Sequence, residues 1–455
     1  MSQLHARHPK TASSIRWSNR MVEAGALFLL VFTPLAYGTV EPWSEAIAEL
    51  AVLGMVLVWV LGMLRDWELR IELPPGWLPA CLFLALVFVQ VSPLPSGLVG
   101  LVSPWTLGLH QTAAAYVGDS IRFVPLSLSP HATLREALKL GAVAAFFLVC
   151  YNTYGTRAQI TRVIWTMIMM GSLISMFGIV QRMTWNNHLY WVGPESPHAS
   201  AFGPFVNRAH FAGLIVVVVP LALALMVTGV KSARRRAGRG WADRLRRWNS
   251  EGSGPRRLIP FLILLMVGLG TQGRSGAGRP ARIAIVAALI ILAGIWIGGD
   301  ILWGTVTRLA EEVRRPGESY RLRVWSDAVA LWGTAPAMGT GLGTFGVVYP
   351  QVRTIRAPSV FTHAESDWVQ LFTDTGVAGG ALLLAAGALL VVDLVRRWQR
   401  SQSRWSRTLA LAALVTLVGA AVQGMGNFNL TVMSNLLFVA TVLALAPAAE
   451  GQETW

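Results

Sequence analysis

The stretch A-I-A-E-L-A-V-L-G-M-V-L-V-W-V-L-G-M-L, from Ala46 to Leu64, carries a single charged side chain, Glu49. About 20 consecutive apolar residues form a helix long enough to cross the hydrocarbon core of a bilayer. This stretch therefore predicts a membrane-spanning helix.

The rest of the chain has the same character. Of its 455 residues, 54% are hydrophobic and 13% are charged, and the mean hydropathy is +0.51. A soluble domain carries roughly 25% charged residues. Further apolar runs occur at residues 22–40, 77–92, 134–152, 160–181, 209–230, 283–303, 377–395, 408–426 and 430–447. The predicted fold is an all-α integral membrane protein with about 10–12 transmembrane helices.

The net charge of +15 is compatible with binding of nucleic acid or with basic cytoplasmic loops. No nucleic-acid-binding motif accompanies the basic residues, so no nucleic acid partner is expected. Membrane lipids are the expected partners of these residues. The densest basic segment is 231–257, and shorter basic segments flank several runs. Placing them in the cytoplasm puts both termini inside and residues 93–133, 182–208 and 304–376 outside.

Residues 258–273 complicate this count of crossings. The apolar run from Leu258 to Thr271 is short for a span, and the arginines that follow it favour the cytoplasmic side as much as those before it. We predict a re-entrant segment that makes no simple crossing. If it did cross, Arg274 would lie on the outer side.

The predicted outer segment 304–376 is rich in arginine and is expected to contain short helices. Its basic residues as far as 362 are all arginines: Arg308, Arg314, Arg315, Arg321, Arg323, Arg353 and Arg356. Guanidinium groups bind phosphate in a bidentate manner, so a lipid pyrophosphate is one candidate ligand, and lipid headgroups or paired acids are the other.

Two features of this segment predict local structure. An amphipathic helix is expected over Arg321–Leu331, with Leu322, Trp325, Val329 and Leu331 on one side. The segment G-T-G-L-G-T-F that follows has no preceding strand, so its glycines predict tight turns and not a dinucleotide site.

The candidate chemistry lies in T-H-A-E-S-D-W-V-Q-L-F-T-D-T-G, Thr362 to Gly376. His363 is a candidate general base, with Glu365 close to it in sequence. Asp374 is expected to help begin the helix that continues at Val377. The histidines are scattered and G-x-S-x-G is absent, so neither a metal site nor a nucleophilic serine is predicted.

Several stretches form one pattern. They are R-L-R-V-W-S-D-A-V-A-L-W-G-T-A-P-A-M-G-T-G-L-G-T-F with Y-P-Q-V-R (321–353), H-A-E-S-D-W-V-Q-L-F-T-D-T-G-V-A-G (363–379), A-F-G-P-F-V-N-R-A-H-F-A-G (201–213) and N-F-N-L-T-V-M-S-N-L-L-F (427–438). Together they resemble the O-antigen ligase/polymerase superfamily over roughly residues 160–445. By this resemblance, residues 1–160 hold N-terminal transmembrane helices and 161–455 the catalytic membrane domain.

The resemblance implies a multi-pass glycosyltransferase at the outer face of a bacterial cytoplasmic membrane. It would move a glycan from undecaprenyl pyrophosphate to an acceptor hydroxyl, with no nucleotide sugar, cofactor or required metal. His363 would be the base or orient the acceptor. The residues that would bind pyrophosphate or substrate are Arg208, His210, Arg274, Arg321, Arg323 and Arg353.

Two departures leave roles open. Many relatives have H-x-H-N-D-Y-L, and here Glu365 stands in place of the second histidine and Ser366 in place of the asparagine, so either His363 or Glu365 would be the base. Around Arg274 the chain has G-R-S-G in place of S-R-G-G, which leaves the role of Arg274 open.

The leading interpretation is an inverting glycan ligase that acts on lipid A core or another acceptor. A polymerase of the same superfamily, whose acceptor is another lipid-linked repeat unit, is the alternative. A transporter would need charged residues inside its spans, and the spans are nearly free of them.

Overall fold

The computed structural model of the protein describes residues 17–65, 67, 71–118, 121–193, 201–235, 320–355 and 361–450. The chain divides into two compact units, one formed by residues 1–231 and 324–455 and the other by residues 232–323. The helices of the described part are α1 (Trp17–Leu35), α2 (Pro42–Arg65), α3 (Trp77–Val91), α4 (Ser96–Val102), α5 (Pro104–Val117), α6 (Pro130–Thr153), α7 (Arg157–Met183), α8 (Arg208–Arg235), α9 (Tyr320–Thr334), α10 (Phe345–Val348), α11 (Asp367–Arg400), α12 (Arg404–Gln423) and α13 (Met433–Glu450).

These helices confirm a helical, multi-pass membrane protein. Within the described ranges, six helices are long and apolar enough to cross a bilayer, namely α2, α7, the Arg208–Leu225 part of α8, α11, α12 and α13. Helices α1, α3 and α6 correspond to the predicted runs 22–40, 77–92 and 134–152, although α1 already ends at Leu35. The predicted run 283–303 and the segment 258–273 lie outside the described residues, so the number of crossings and the orientation remain predictions.

Helix α13 lies at the centre of the bundle. It is mostly apolar around its whole circumference, and 89% of its residues are buried, as expected for a helix without an extended polar face. It packs against α1, α6, α7 and α12. Large side chains of this core include Phe438 on α13 and Phe146 on α6, both fully buried.

Ion pairs join helices near their ends. Arg162 of α7 donates from Nε to Glu23 Oε1 of α1 at 2.5 Å. Arg135 of α6 donates from Nη2 to Glu45 Oε2 of α2 at 2.5 Å, and Lys139 Nζ lies 3.7 Å from Glu45 Oε1. A charged group within an apolar bundle is tolerated where it is paired, and these pairs fasten α1 to α7 and α2 to α6.

The long helix α11 is broken at Gly376, which has φ 64° and ψ −167°. Four backbone groups next to the break have no partner within the helix, and the loop 336–341 forms hydrogen bonds with all four. Thr340 N and Gly341 N donate to Thr373 O and Asp374 O, each at 3.0 Å. In return Val377 N and Ala378 N, just past the break, donate to Pro336 O at 2.9 Å and Ala337 O at 3.1 Å.

Gln90 of α3 also bonds to the loop and to α11 next to the break. Its side chain is fully buried, and its Nε2 donates to Met338 O at 2.7 Å and to Asp374 O at 3.0 Å. Its Oε1 accepts from Leu342 N at 3.1 Å. One amide therefore ties α3, the glycine-containing loop and α11 together.

The predicted outer segments 93–133 and 304–376 contact each other. Segment 93–133 forms α4, α5 and a short antiparallel pair between β1 (Leu94–Pro95) and β2 (Phe123–Val124). Four residues after β2, Leu128 N donates to Thr340 O at 2.9 Å. The part of segment 304–376 that contains Thr340 therefore lies beside segment 93–133.

Helix α9 confirms the predicted amphipathic helix but corrects its face. The buried side chains are Val324, Asp327, Ala328 and Leu331, at a spacing of i, i+3, i+4 and i+7. Val329, predicted to lie on the apolar side, is 54% exposed. The stripe is displaced because α9 packs on α10 and on residues 349–364, and it includes an acid that a hydrophobicity pattern excludes.

The break predicts a strong effect of Gly376→Ala. The φ and ψ of Gly376 lie in a region open almost only to glycine, at a cost of about 1–3 kcal/mol for other residues. A Cβ there would also lie 2.4 Å from the carbonyl carbon and oxygen of Ala337. We expect a clearly lower apparent unfolding temperature in detergent, measured by tryptophan fluorescence.

Gly387→Ala is the matched control, because it makes the same change in the same helix where a Cβ meets nothing within 4 Å. It should leave the unfolding temperature unchanged or raise it slightly. Equal unfolding temperatures for the two variants would contradict the role given to the break.

Candidate functional site

Phe428 brings together three of the stretches that carry the resemblance. The ring of His363 stacks on the ring of Phe428, with centroids 4.4 Å apart and an interplanar angle of 16°. The ring of His210 meets the same phenyl group edge-on, with a centroid distance of 5.1 Å. Segments 201–213, 363–379 and 427–438 therefore converge on one place.

His363 lies in the loop before α11 and is held at one ring nitrogen. Its Nδ1 lies 3.1 Å from Gln370 Oε1, and its Nε2 has no hydrogen-bond partner among the described residues. Burial lowers the pKa of His363. The bond to Gln370 opposes this shift, the charge of Lys139 adds to it, and the charge of Glu136 opposes it. The ring is therefore neutral at pH 7, as a general base must be.

Asp374 does not begin a helix, contrary to expectation. Helix α11 starts at Asp367, and Ser366 caps it by accepting from Val369 N at 3.4 Å. Asp374 lies inside the helix, just before the break, and is only 2% exposed. Its Oδ2 accepts from Gly343 N at 2.9 Å and from Gln370 Nε2 at 3.5 Å. Asp374 thus connects the glycine-containing loop to Gln370, because the break brings that loop to its carboxylate.

Asp367 also has a structural role. Its Oδ1 and Oδ2 accept from Leu430 N at 3.2 and 3.0 Å. Its own backbone N–H donates to Gly424 O at 2.9 Å and Asn427 O at 3.0 Å. These bonds fix the turn that carries Phe428 against the start of α11, and so they fix the distance between Phe428 and His363.

Arg353 lies on a loop adjacent to the His363 segment. Its Nε donates to Ile355 O at 2.6 Å, and its guanidinium carbon lies 5.7 Å from the centre of the Phe361 ring. Phe361 packs in the same hydrophobic cluster as Ala364. The structure therefore brings Arg353 near the histidine-bearing loop.

The loop that carries Arg353 is anchored by Asp327 of α9. The buried carboxylate of Asp327 accepts from Tyr349 Oη at 3.0 Å, from Thr354 N at 3.0 Å and from Thr354 Oγ1 at 2.8 Å. Burial and the bond to Asp327 both raise the pKa of Tyr349, so Tyr349 remains a neutral donor. Asp327 thus sets the course of residues 349–355.

Glu365, the other candidate base, is partly exposed and has a left-handed backbone with φ 56°. Its role as an alternative to His363 remains a prediction. Arg208 is exposed at the first residue of α8, two residues before His210.

The remaining predicted arginines are Arg274, Arg321 and Arg323. Arg321 and Arg323 lie in the first turn of α9, within the separate compact unit. Arg274 lies outside the described residues. Their contribution to a pyrophosphate site remains a prediction.

His210 belongs to a buried polar cluster beside Phe428. Neither of its ring nitrogens has a hydrogen-bond partner among the described residues, and the same is true of the buried side-chain amide of Asn429. Asn435 Nδ2 donates to His210 O at 3.1 Å. Buried polar atoms are normally paired, so His210 and Asn429 are exceptions, with unused hydrogen-bonding atoms next to the stacked rings.

The arrangement suits proton transfer near an aromatic surface. A neutral imidazole has one nitrogen held and the other unbonded, and Arg353 lies on the adjacent loop. Across the described ranges, no group of three or more histidine, cysteine, aspartate or glutamate side chains could hold a metal ion.

Sequence reasoning missed Gln370 and Phe428 as site residues. Phe428 lies in the stretch N-F-N-L-T-V-M-S-N-L-L-F, but a phenylalanine there does not by itself indicate that it stacks on a histidine. Gln370 has no signal of its own, because its role depends on the helix starting at Asp367. No protein-family model matches this chain, and no curated protein matches it either.

The three bonds to Asp327 predict a local effect of Asp327→Asn. The amide keeps one acceptor oxygen, and losing a hydrogen bond to a charged acceptor weakens the loop by about 2 kcal/mol. We expect faster tryptic cleavage after Arg353, measured by mass spectrometry of timed digests. Tyr349→Phe, which removes one bond, should have a smaller effect.

Asp393→Asn is the control, because Asp393 pairs with Arg397 on the far part of α11. Its cleavage rate after Arg353 should match that of the unchanged protein. If Asp327→Asn behaved like this control, Asp327 would not anchor the loop.

Proposed function

We propose that this chain is a glycosyltransferase of a bacterial cytoplasmic membrane. It would move a glycan from undecaprenyl pyrophosphate onto an acceptor hydroxyl at the outer face. The observation that supports this most is the convergence of His210, His363 and Phe428 from three stretches that resemble the O-antigen ligase/polymerase superfamily.

The reaction follows from the chemistry of these groups. The acceptor oxygen attacks the anomeric carbon of the donor while Nε2 of His363 takes the hydroxyl proton. The bond between the anomeric carbon and the pyrophosphate oxygen breaks, and undecaprenyl pyrophosphate leaves with both electrons. Attack from the opposite face inverts the anomeric configuration.

The leaving group develops negative charge, which guanidinium groups stabilise. Arg353 lies on the loop adjacent to the His363 segment, with its guanidinium 5.7 Å from the centre of the Phe361 ring, and Arg208 precedes His210 by two residues. Arg321, Arg323 and Arg274 are further candidates for the same role.

The leading form of this proposal is a ligase that moves a polymerised glycan onto lipid A core or another acceptor. Cells that lack the chain should then accumulate free long polymer on its lipid carrier. Accumulation of single repeat units would instead identify a polymerase, and unchanged glycans would exclude both.

His363→Ala is expected to lower transfer by about 10²- to 10⁴-fold, the usual contribution of a general base. The assay uses purified protein in detergent with lipid-linked donor and acceptor, and transfer is measured by gel mobility of the glycosylated product. His131→Ala is the control, because His131 is an exposed histidine at the start of α6. Undiminished transfer by His363→Ala would end the proposed role of His363.

The pH dependence gives a second prediction for the unchanged protein. Protonation of His363 removes the base, and burial lowers its pKa. Transfer should therefore be level above the ordinary histidine pKa of about 6.5 and decline only below it. Initial rates between pH 5 and 9, at saturating donor and acceptor, check this; a decline that begins well above that pKa would contradict a neutral, buried base.

A further inference from the structure

The side-chain amide of Gln370 has an orientation that chemistry alone decides. Its Oε1 faces two groups, the backbone nitrogen of Ala364 at 3.3 Å and Nδ1 of His363 at 3.1 Å. A backbone N–H can only donate, so the atom opposite Ala364 must be the amide oxygen. The reverse orientation would set two donors against each other.

The other end of the amide agrees with this orientation. Gln370 Nε2 lies 3.5 Å from Asp374 Oδ2, which also accepts from Gly343 N at 2.9 Å. Because Gly343 N–H is again an obligatory donor, Asp374 Oδ2 is an acceptor in either charge state of the carboxyl group. Two backbone N–H groups, one at each end, therefore fix the chain from Gly343 through Asp374 and Gln370 to Ala364.

This series of hydrogen bonds from Gly343 to Ala364 decides which nitrogen of His363 carries the proton. An amide oxygen can only accept, so Nδ1 of His363 must carry a hydrogen to bond it. A neutral imidazole has one N–H, and Nε2 is then the unprotonated nitrogen. The stack on Phe428 holds the plane of the ring, while Gln370 sets which edge faces inward.

We propose that Gln370 is a positioning residue that holds neutral His363 in its Nδ1–H tautomer and presents Nε2 as the proton acceptor. Its catalytic meaning rests on the proposed transferase function, but the tautomer is a property of the molecule that can be measured without any substrate. Gln370 is buried at the second turn of α11, four residues before Asp374, so this spacing places both side chains on one face of the helix.

Other titratable groups near the ring influence its protonation without choosing the tautomer. Lys139 and Glu136 act on His363 from α6 with opposite signs, and His210 faces it from α8 across Phe428. None of these groups is bonded to Nδ1. A change at Gln370 should therefore alter the tautomer while leaving these influences in place.

The test uses the full-length protein in detergent with ¹⁵N-labelled histidine, and the His363 signals are assigned by their loss in His363→Gln. At pH 8 we expect a protonated Nδ1 and an unprotonated Nε2. A proton found on Nε2 of the unchanged protein would overturn the proposal, whether or not any variant folds.

Substitutions of Gln370 test the effect of the tautomer on the transfer rate. Gln370→Leu should abolish the preference for the Nδ1–H tautomer and lower kcat by a smaller factor than His363→Ala does, with a nearly constant KM for the acceptor, because part of the His363 rings still present an unprotonated Nε2. Gln370→Glu should stabilise the imidazolium form and move the acid limb of the rate profile to higher pH. The exposed Gln402 supplies the control, Gln402→Leu, which should change neither tautomer nor rate.

The two proposals fail in different ways. If the tautomer is as expected but the unchanged protein transfers no glycan, the proposed function fails and the positioning role of Gln370 towards the ring stands. If His363→Ala is inactive but the proton lies on Nε2, the function stands and the inference about Gln370 is overturned.

Discussion

The interruption of α11 at Gly376 is the constraint on which the rest of the site depends. Backbone N–H and C=O groups in an apolar bundle must be paired, and a helix broken there leaves four of them open. The loop 336–341 satisfies all four, and it can approach closely because Gly339 has a left-handed backbone and a Cβ there would lie 2.4 Å from Asp374. The loop conformation and the break in α11 therefore depend on each other, because each supplies the hydrogen-bond partners of the other.

The segment of α11 before the break connects the glycine-containing loop to His363 through hydrogen bonds. Asp374 is bonded to the glycine-containing loop, Gln370 to Asp374 and His363 to Gln370. At the start of the same segment, Asp367 fixes the turn that carries Phe428. The nine helical residues from Asp367 to Thr375 thus set both the edge and the plane of one imidazole ring, which explains why a stretch rich in acids lies at the entrance of an apolar helix.

The sequence predicted those parts of the structure that depend on local composition. The apolar runs predicted the long helices, and amphipathic spacing predicted α9, because both follow from burial along one element. It failed where distant segments meet. The buried face of α9 includes Asp327, whose partners are 22 and 27 residues further along the chain. Asp374 was assigned to a helix start because an acid before an apolar run favours that role, while its partner Gly343 is 31 residues away. Gln370 was not identified at all, because an amide has no pattern that predicts which of its atoms will face a histidine.

The distribution of charge in the described part favours chemistry at one end of the bundle over passage through it. A transporter needs charged groups that line a route near the middle of the membrane. Here Glu23 pairs with Arg162 and Glu45 with Arg135 between neighbouring helices, so these charges hold helices together. The one imidazole that stacks on Phe428 has instead a bonded nitrogen and an unbonded one, with its pKa lowered by burial. A neutral base with a basic loop beside it is suited to a reaction in which a hydroxyl loses its proton and an anion departs, because the base must stay uncharged while the leaving group needs positive charge.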